Sequence, residues 1–427
     1  MITLDSVRAD HCSFMGYHRK TTPTLDKMAR KGLCFENAIA SSVPTGPSLV
    51  GVFTGDYTLN DSLSGDSPHL WRKEISSRKT LAEALSKKGY TTVAIHGNPW
   101  ASKLFGFNKG FKYFQDFIED NENKTSKGFV NNLYKDILNI IKKNSTLFDW
   151  ERLYPYIIEQ IAKVKRPYFL WILLVDTHLP YLPPKKYRVF GSKSTLRLLY
   201  LNWRIRNKFK IRKNTFRILK DNIRKNLIKV SLKDKRLLID AYDSSILYAD
   251  AFIKRLWNDL KDDDPIFIIH ADHGEGFGEH GFYYHPPMLY EELIHVPLVI
   301  YNADVKGRID APVSLVGLAS TIMDLINEEE SFPNGSLLNY DTEGWAICKI
   351  FELNKRKIAV RMKDWKYITG ENDKDELYNL KKDPYEQKNV IDEHPDLVKI
   401  MKEIVNRHVK RELSGKLRIK LSKGRYS

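Results

Sequence analysis

The sequence predicts an α/β protein: an α/β/α sandwich around a mostly parallel, mixed sheet, followed by a small C-terminal α+β subdomain. Three observations carry this. Short apolar runs alternate with helical stretches through residues 1–350. Three of those runs stop abruptly on carboxylates or imidazoles: Ile2-Thr3-Leu4 on Asp5, Tyr168 to Val175 on Asp176 and His178, and Ile266 to Ala271 on Asp272-His273. From about Lys355 the alternation gives way to short strands joined by tight turns. Ligands of open α/β sheets sit outside the carboxyl ends of the strands. Three strands ending this way therefore point to one polar site on one sheet edge.

After the Asp5 strand, a helix is expected from Thr22-Pro23, with proline in its first turn, to just before Gly32. A second helical stretch ends at Val52-Phe53-Thr54-Gly55. Thr91 to Ile95 reads as a strand running into His96-Gly97-Asn98-Pro99, and Trp150 to Lys163 as a helix before the Asp176 strand. A long helix from about Lys235 to Leu260 leads into the Asp272 strand. Val296 to Ile300 is a further strand and Leu315 to Ile326 a helix. Beyond Lys355, Ile358 to Met362, Trp365 to Ile368 and Glu376 to Leu380 read as strands, and Pro395 to Val409 as a helix before a basic tail. This divides the chain into a main domain, 1–350, carrying a basic insertion at about 190–234, and a C-terminal subdomain, 351–427.

The net charge of +16 is concentrated: residues 192–233 hold 14 Lys or Arg against the single acid Asp221, which is +13 of that total. Charge runs of this kind are most often solvated helical faces. The sharper reading is a surface for anionic lipid, polyanionic glycan or a phosphorylated substrate. No specific nucleic-acid module accompanies it. Three scattered cysteines, Cys12, Cys34 and Cys348, form no disulfide framework and point to a reducing, cytoplasmic compartment, with peripheral membrane contact left open. No apolar run reaches the roughly 18 residues of a membrane span. Because Met1 lies inside the first strand, an upstream start or signal is also left open.

Asp5, Asp272 and His273 are the expected metal ligands. Mixed carboxylate and imidazole donors suit Ca²⁺, Mg²⁺, Mn²⁺ or Zn²⁺ alike. An isolated Asp-His pair would more often cap a turn, but a second strand ending on Asp5 favours the ion. The loop Ser41-Ser42-Val43-Pro44-Thr45-Gly46-Pro47-Ser48 sets a hydroxyl immediately before a helix. Alone it is an ordinary cap; beside a metal such a hydroxyl can attack, and the helix terminus favours an anion.

Several motifs now resemble one family. Leu4-Asp5-Ser6-Val7-Arg8-Ala9-Asp10-His11, Thr22-Pro23-Thr24-Leu25-Asp26, Phe35-Glu36-Asn37-Ala38 and Phe53-Thr54-Gly55 look like the opening of the sulfatase family, within the alkaline phosphatase superfamily. Asp272-His273-Gly274-Glu275, Gly278-Glu279-His280-Gly281 and Val296-Pro297-Leu298 resemble its second half, and Glu376 to Leu380 with Asp383-Pro384 and Asn389 its C-terminal subdomain. The motifs run in the family's order over nearly the whole chain except the basic segment. The resemblance implies the alkaline phosphatase-like fold, a sulfatase-like catalytic domain over 1–350, and Thr45 as both nucleophile and metal ligand. It lies nine residues before Thr54, where the family has Cys or Ser in a Cys/Ser-x-Pro-Ser-Arg motif. By the same resemblance His178, in Asp176-Thr177-His178, contacts the transferred group or its leaving oxygen. His285 stands where relatives place Lys or His on a substrate oxygen, and Asn98 falls near an anion-binding lysine, where its amide is expected to donate to the substrate. His280 serves a second metal or orders its loop.

Three departures matter: threonine at 45, Leu49 for the motif's arginine, and Ser6 for the second aspartate of the family's Asp-Asp pair. Formylglycine is therefore not expected. A formylglycine hydrate sheds sulfate by eliminating to the aldehyde. A threonine ester must instead be broken by attack at the central atom, chemistry well suited to phosphorus. The expectation is a metal-dependent hydrolase of phosphate mono- or diesters or sulfate esters, acting through Thr45, with phosphoesters favoured. The rivals are a sulfuric ester hydrolase acting on aryl or glycan sulfates, a transferase passing a phospho-alcohol to glycan or lipid, and a non-catalytic anion-binding protein.

Overall fold

The computed structural model describes residues 1–59, 67–117, 149–191, 195–208, 230–342, 344–352, 355–371 and 373–423. Most of the basic segment, 192–194 and 209–229, lies outside the described residues, and with it the test of that segment's expected role.

The strands of the main domain are β1 (Ile2–Leu4), β2 (Leu33–Ile39), β3 (Thr91–His96), β4 (Tyr113–Gln115), β5 (Tyr168–Leu174), β6 (Phe267–Ala271), β7 (Gly276–Phe277), β8 (Tyr283–Tyr284), β9 (His295–Tyr301), β10 (Gly307–Ile309) and β11 (Val313–Ser314). Nine of them form one sheet in the order β10-β2-β9-β6-β1-β5-β3-β4, with β11 also on β2, while β7 and β8 pair as a hairpin. Only β9 runs antiparallel, against β2 and β6, which makes the sheet mixed. The central strands β1, β5 and β6 are buried almost throughout, as expected of strands covered on both faces.

The helices are α1 (Pro23–Lys31), α2 (Thr45–Thr54), α3 (Ser67–Ser76), α4 (Leu81–Lys87), α5 (Trp150–Lys163), α6 (Thr195–Lys208), α7 (Leu232–Asp259), α8 (Glu291–Ile294), α9 (Leu318–Leu325) and α10 (Pro395–Lys423). Helices α1, α5 and α6 pack on α7, and α3, α4 and α9 pack on α2, giving the outer layers of the sandwich. Helix α7 begins at Leu232, three residues before the expected start, because the Ser231 hydroxyl caps it by accepting from the Asp234 amide at 3.1 Å.

Among the strands that escape the sequence pattern, two are long. In β2 the half-exposed pair Glu36-Asn37 interrupts the apolar run where the pairing register with β9 shifts. This is the expected signature of a bulge. Strand β12 (Trp345–Glu352) is buried on both faces from Ala346 to Ile350, so no alternation marks it. It opens the antiparallel sheet β12-β13-β14-β15, with β13 (Lys355–Met362), β14 (Trp365–Gly370) and β15 (Glu376–Asn379). The small sheet therefore starts at Trp345, ahead of the 351 boundary drawn from sequence. One of its faces packs with Ile39, Val43, Leu293 and Ile294. The other packs with Tyr57, Val316 and the α10 residues Val398, Met401 and Ile404. Helix α10 runs past the expected end at Val409 to Lys423. Cys12, Cys34 and Cys348 are buried free thiols. Among the described residues no helix is long and apolar enough to cross a membrane.

Candidate metal and ester site

The site follows from strand register. Leu4 of β1 is level with Ala271 of β6 and with Leu174 of β5, so the next residues, Asp5 and Asp272, leave adjacent strands at the same height. Strand neighbours lie about 4.8 Å apart, close enough for two carboxylates to share a cation. His96 of β3 is level with Leu173, which brings Asn98 to the same edge. Asp5, Asp272 and His273 are each fully buried, and one donor atom from each lies within 4.8 Å of the others.

Thr45 arrives from the other side. It opens α2, all ten residues of which are buried. The helix is tied to the Asp272 strand end by Ser48 Oγ, which donates to the Asp272 carbonyl at 2.6 Å. Gly46 leaves room for Trp71, whose ring a Cβ there would meet at 2.0 Å. Thr45 Oγ1 lies 3.2 Å from His273 Nε2, and that nitrogen lies 3.6 Å from Asp272 Oδ2. Adjacent donors of one cation, with bonds of about 2.0–2.6 Å at right angles, stand roughly 3–4 Å apart.

The donor set fits a cation on a second ground. Asp272 Oδ2 is buried and, among the described residues, reached by no hydrogen bond, while Oδ1 accepts from the Ser6 and His273 amides at 3.0 and 2.9 Å. His273 donates from Nδ1 to the Gly274 carbonyl at 2.9 Å, which leaves Nε2 as a lone pair. Burial, with Asp272 beside it, pushes the Asp5 carboxyl up to about 7. A buried carboxylate oxygen without a donor is costly; a divalent ion would satisfy it and relieve the repulsion between the two aspartates.

The remaining expected residues sit as follows. Asn98 is buried, and its amide donates to Asp5 Oδ2 at 2.6 Å while its carbonyl oxygen accepts from the Trp100 amide at 2.8 Å. Asn98 therefore orients Asp5 through one amide hydrogen; its Nδ2 carries a second. His178 is half-buried, with Nδ1 on the Leu179 carbonyl at 2.7 Å and Nε2 3.1 Å from Tyr284 Oη. His285 is buried between His273 and His178, its ring centroid 4.3 and 5.1 Å from theirs. Burial and then those two imidazoles hold its basicity well below the usual histidine range. His280 is taken up structurally: Nδ1 meets Glu292 Oε1 at 2.7 Å, Nε2 meets the Glu386 carbonyl at 3.2 Å, and the ring stacks on Tyr290. Asp176, at the end of β5, turns away to accept from the Trp150 amide at 3.3 Å.

Three contributors carry no ligand signature in the sequence. Ser6, at φ +60°, donates from Oγ to Asp5 Oδ1 at 2.8 Å. Arg8 is buried and braces the loop after β6, pairing with Asp10 and Glu279 and donating to the Glu275 carbonyl at 3.1 Å. Glu275 is fully buried beside His285, and burial pushes its carboxyl well above the usual range. Only the Asp5-to-Arg8 and Asp272-to-Glu275 runs hint at them, by adjacency to the ligands.

Comparison with known proteins gives a consistent picture. A family model described as Sulfatase matches residues 1–328. An N-acetylglucosamine-6-O-sulfatase of Bacteroides thetaiotaomicron is 23% identical, the match covering 86% of this chain and 78% of the relative. An arylsulfatase of Clostridium perfringens is 25% identical over 95% of this chain and 92% of its own. Among solved structures, the phosphonate monoester hydrolase of Agrobacterium radiobacter shares the fold with a TM-score of 0.72, at 17% identity and over 96% of this chain and 95% of that one.

Proposed function

The chain belongs to the sulfatase family and is a hydrolase acting on ester bonds, and from that premise we propose that it cleaves an anionic ester through a covalent intermediate on Thr45, with phosphoesters favoured. The observation that carries the reading is the position of Thr45 Oγ1, at the start of a buried helix and 3.2 Å from His273 Nε2. On this reading Asp5, Asp272 and His273 hold one divalent cation, and Thr45 Oγ1 adjoins them as a further donor. Such an ion would offset charge on the ester's non-bridging oxygens and favour the ionised hydroxyl.

Thr45 Oγ attacks the central atom, and the free N–H groups of the first turn of α2 attract the anion. His178 and His285 serve the departing oxygen and the incoming water. Water, or an acceptor alcohol in a transferase, then breaks the threonine ester at the central atom. Asn98 and Ser6 hold Asp5 in place. Threonine rather than an aldehyde-forming residue supports phosphorus over sulfur.

A sulfate ester is the second reading, favoured by the names of the N-acetylglucosamine-6-O-sulfatase and the arylsulfatase. Rates on bis-p-nitrophenyl phosphate, p-nitrophenyl phosphate and p-nitrophenyl sulfate, each with Ca²⁺, Mg²⁺, Mn²⁺ and Zn²⁺, test the choice. Faster sulfate turnover under every metal would reverse the preference. Exact mass of the Thr45 peptide from a quenched reaction distinguishes a phosphoryl from a sulfo adduct. Tight anion binding with no turnover on any ester would favour the non-catalytic alternative.

A further inference from the structure

Asn98 joins the ion site to an aromatic wall. Its side-chain oxygen caps the 3-10 turn Pro99–Ala101 by accepting from the Trp100 amide at 2.8 Å, while its nitrogen donates to Asp5 Oδ2 at 2.6 Å. Two hydrogen bonds and one planar amide therefore separate the Trp100 backbone from the proposed ligand Asp5. The same turn packs on α2, the helix that opens with Thr45. Trp71 of α3 touches both. Its ring fills the space beside Gly46, and its centroid lies 6.2 Å from that of Trp100. Phe105 closes the cluster, 4.9 Å from Trp71 and 5.5 Å from Trp100. Trp71 and Phe105 are each 1% exposed, whereas Trp100 is 37% exposed. An indole that only filled the cluster would sit as deep as Trp71. Neither neighbour lies flat on it, since the ring planes cross at 63° and 42°.

We infer that Trp100 is a specificity-determining residue: a ring carried by the ester's alcohol lies on its indole while the anion sits at the Thr45 end of α2. The inference rests on the ester-site reading above and deepens it, because it names the alcohol as ring-bearing rather than acyclic. An aryl group and a pyranose share the chemistry that matters here, a flat face with apolar area to bury. A glycerol-like alcohol has little of either. A quaternary or primary ammonium head group is best held by several aromatic faces around it, and of these three rings only Trp100 is exposed. Trp100 makes and breaks no bond. It binds the alcohol and fixes its direction, which sets the angle at which the ester meets Thr45.

Calorimetric titration with phenylphosphonate and with methylphosphonate, in turn with Ca²⁺, Mg²⁺, Mn²⁺ and Zn²⁺, compares a ring with a methyl group on the same anion. Under the metal that binds them best, wild type takes phenylphosphonate about 10-fold more tightly, the gain expected of one stacked ring. The ratio falls to within about 2-fold in Trp100→Leu, which keeps an apolar side chain without a flat face, and stays above about 5-fold in Trp100→Phe. Phenylphosphonate also shifts the tryptophan emission of wild type, and Trp100→Phe binds it without that shift. In Thr45→Ala, which leaves an ester uncleaved, glucose 6-phosphate against glycerol 3-phosphate makes the same comparison for a pyranose. A preference in both pairs assigns the shared ring face, and a preference in one pair alone assigns that ring.

Equal affinities within both pairs, a ratio unchanged in Trp100→Leu, or phosphocholine bound more tightly than glucose 6-phosphate in Thr45→Ala overturns the inference alone. A ring preference that stands while no Thr45 adduct forms overturns the Thr45 intermediate alone. If wild type binds neither phosphonate with any of the four metals, the ester-site reading falls and this inference with it.

Discussion

Asp272 presents a buried oxygen that no donor among the described residues reaches, beside a second buried aspartate whose carboxyl is pushed up to about 7. Two such groups are tolerated together when a cation or a proton joins them. Thr45→Ala and Asp272→Ala are therefore expected to lower kcat by roughly 1,000-fold or more on whichever ester proves best, as for other residues that touch the reacting atoms. A near-normal rate in either would remove the mechanism. Asn98 and Ser6 act one step back, through Asp5. Asn98→Ala and Ser6→Ala should weaken cation binding by about 10–100-fold, the usual effect of losing a partner that orients a ligand. Calorimetric titration of metal-stripped protein reads this without any turnover. Unchanged affinity would mean that Asp5 needs no orientation.

The loop from Asp272 to the β7–β8 hairpin is set by close backbone approach. Gly274 donates its amide to the Leu293 carbonyl at 2.8 Å, and a Cβ on it would stand 2.1 Å from the Glu292 carbonyl oxygen. Gly274→Ala should therefore move His273 and Glu275 together, abolishing activity and destabilising the fold by roughly 1–3 kcal/mol, the range for overpacked sites. Activity close to wild type, measured with the thermal midpoint, would contradict this. The segment after β5 offers a pH test. Burial, with Asp149 nearby, raises the Asp176 carboxyl to about 8. A group whose folded pKa lies above its unfolded value adds stability below the unfolded value, near 4, and loses it as pH rises through the folded one. The thermal midpoint should thus fall as pH rises from about 4 to 8 and level off above that, and Asp176→Asn should flatten that fall. An identical slope in both proteins would exclude Asp176 as its source.

Across the whole molecule, the small C-terminal sheet is bound to the loop that carries His285. Lys366 of β14 is fully buried between Glu291 of α8, at 3.1 Å, and Glu386, at 2.5 Å, and Arg361 reaches Glu291 at 3.2 Å. Removing one partner strands buried charge, so Lys366→Met should cost about 3–5 kcal/mol, read as a lowered denaturation midpoint. A loss under about 1 kcal/mol would place the pair among surface ion pairs in strength.

Much of this architecture is legible along the chain. An apolar run that stops on Asp5, or on Asp272-His273, marks a strand end where an unpaired charge needs a reason. The motif spacing that singles out Thr45 is equally local. The bulged β2, the doubly buried β12 and the placement of Ser6, Asn98 and Glu275 are not marked, because each depends on a neighbour far along the chain. Ser6 and Asp272 are 266 positions apart.

The sequence by itself determined the sandwich, the sheet edge and the residues proposed to hold the ion, since hydrophobic periodicity and side-chain chemistry are properties of short segments. Only the tertiary structure decided which way Asn98 turns, that His280 belongs to the scaffold, and that Glu275 faces His285. Strand register and backbone contact between distant segments set those directions, and no local pattern encodes them.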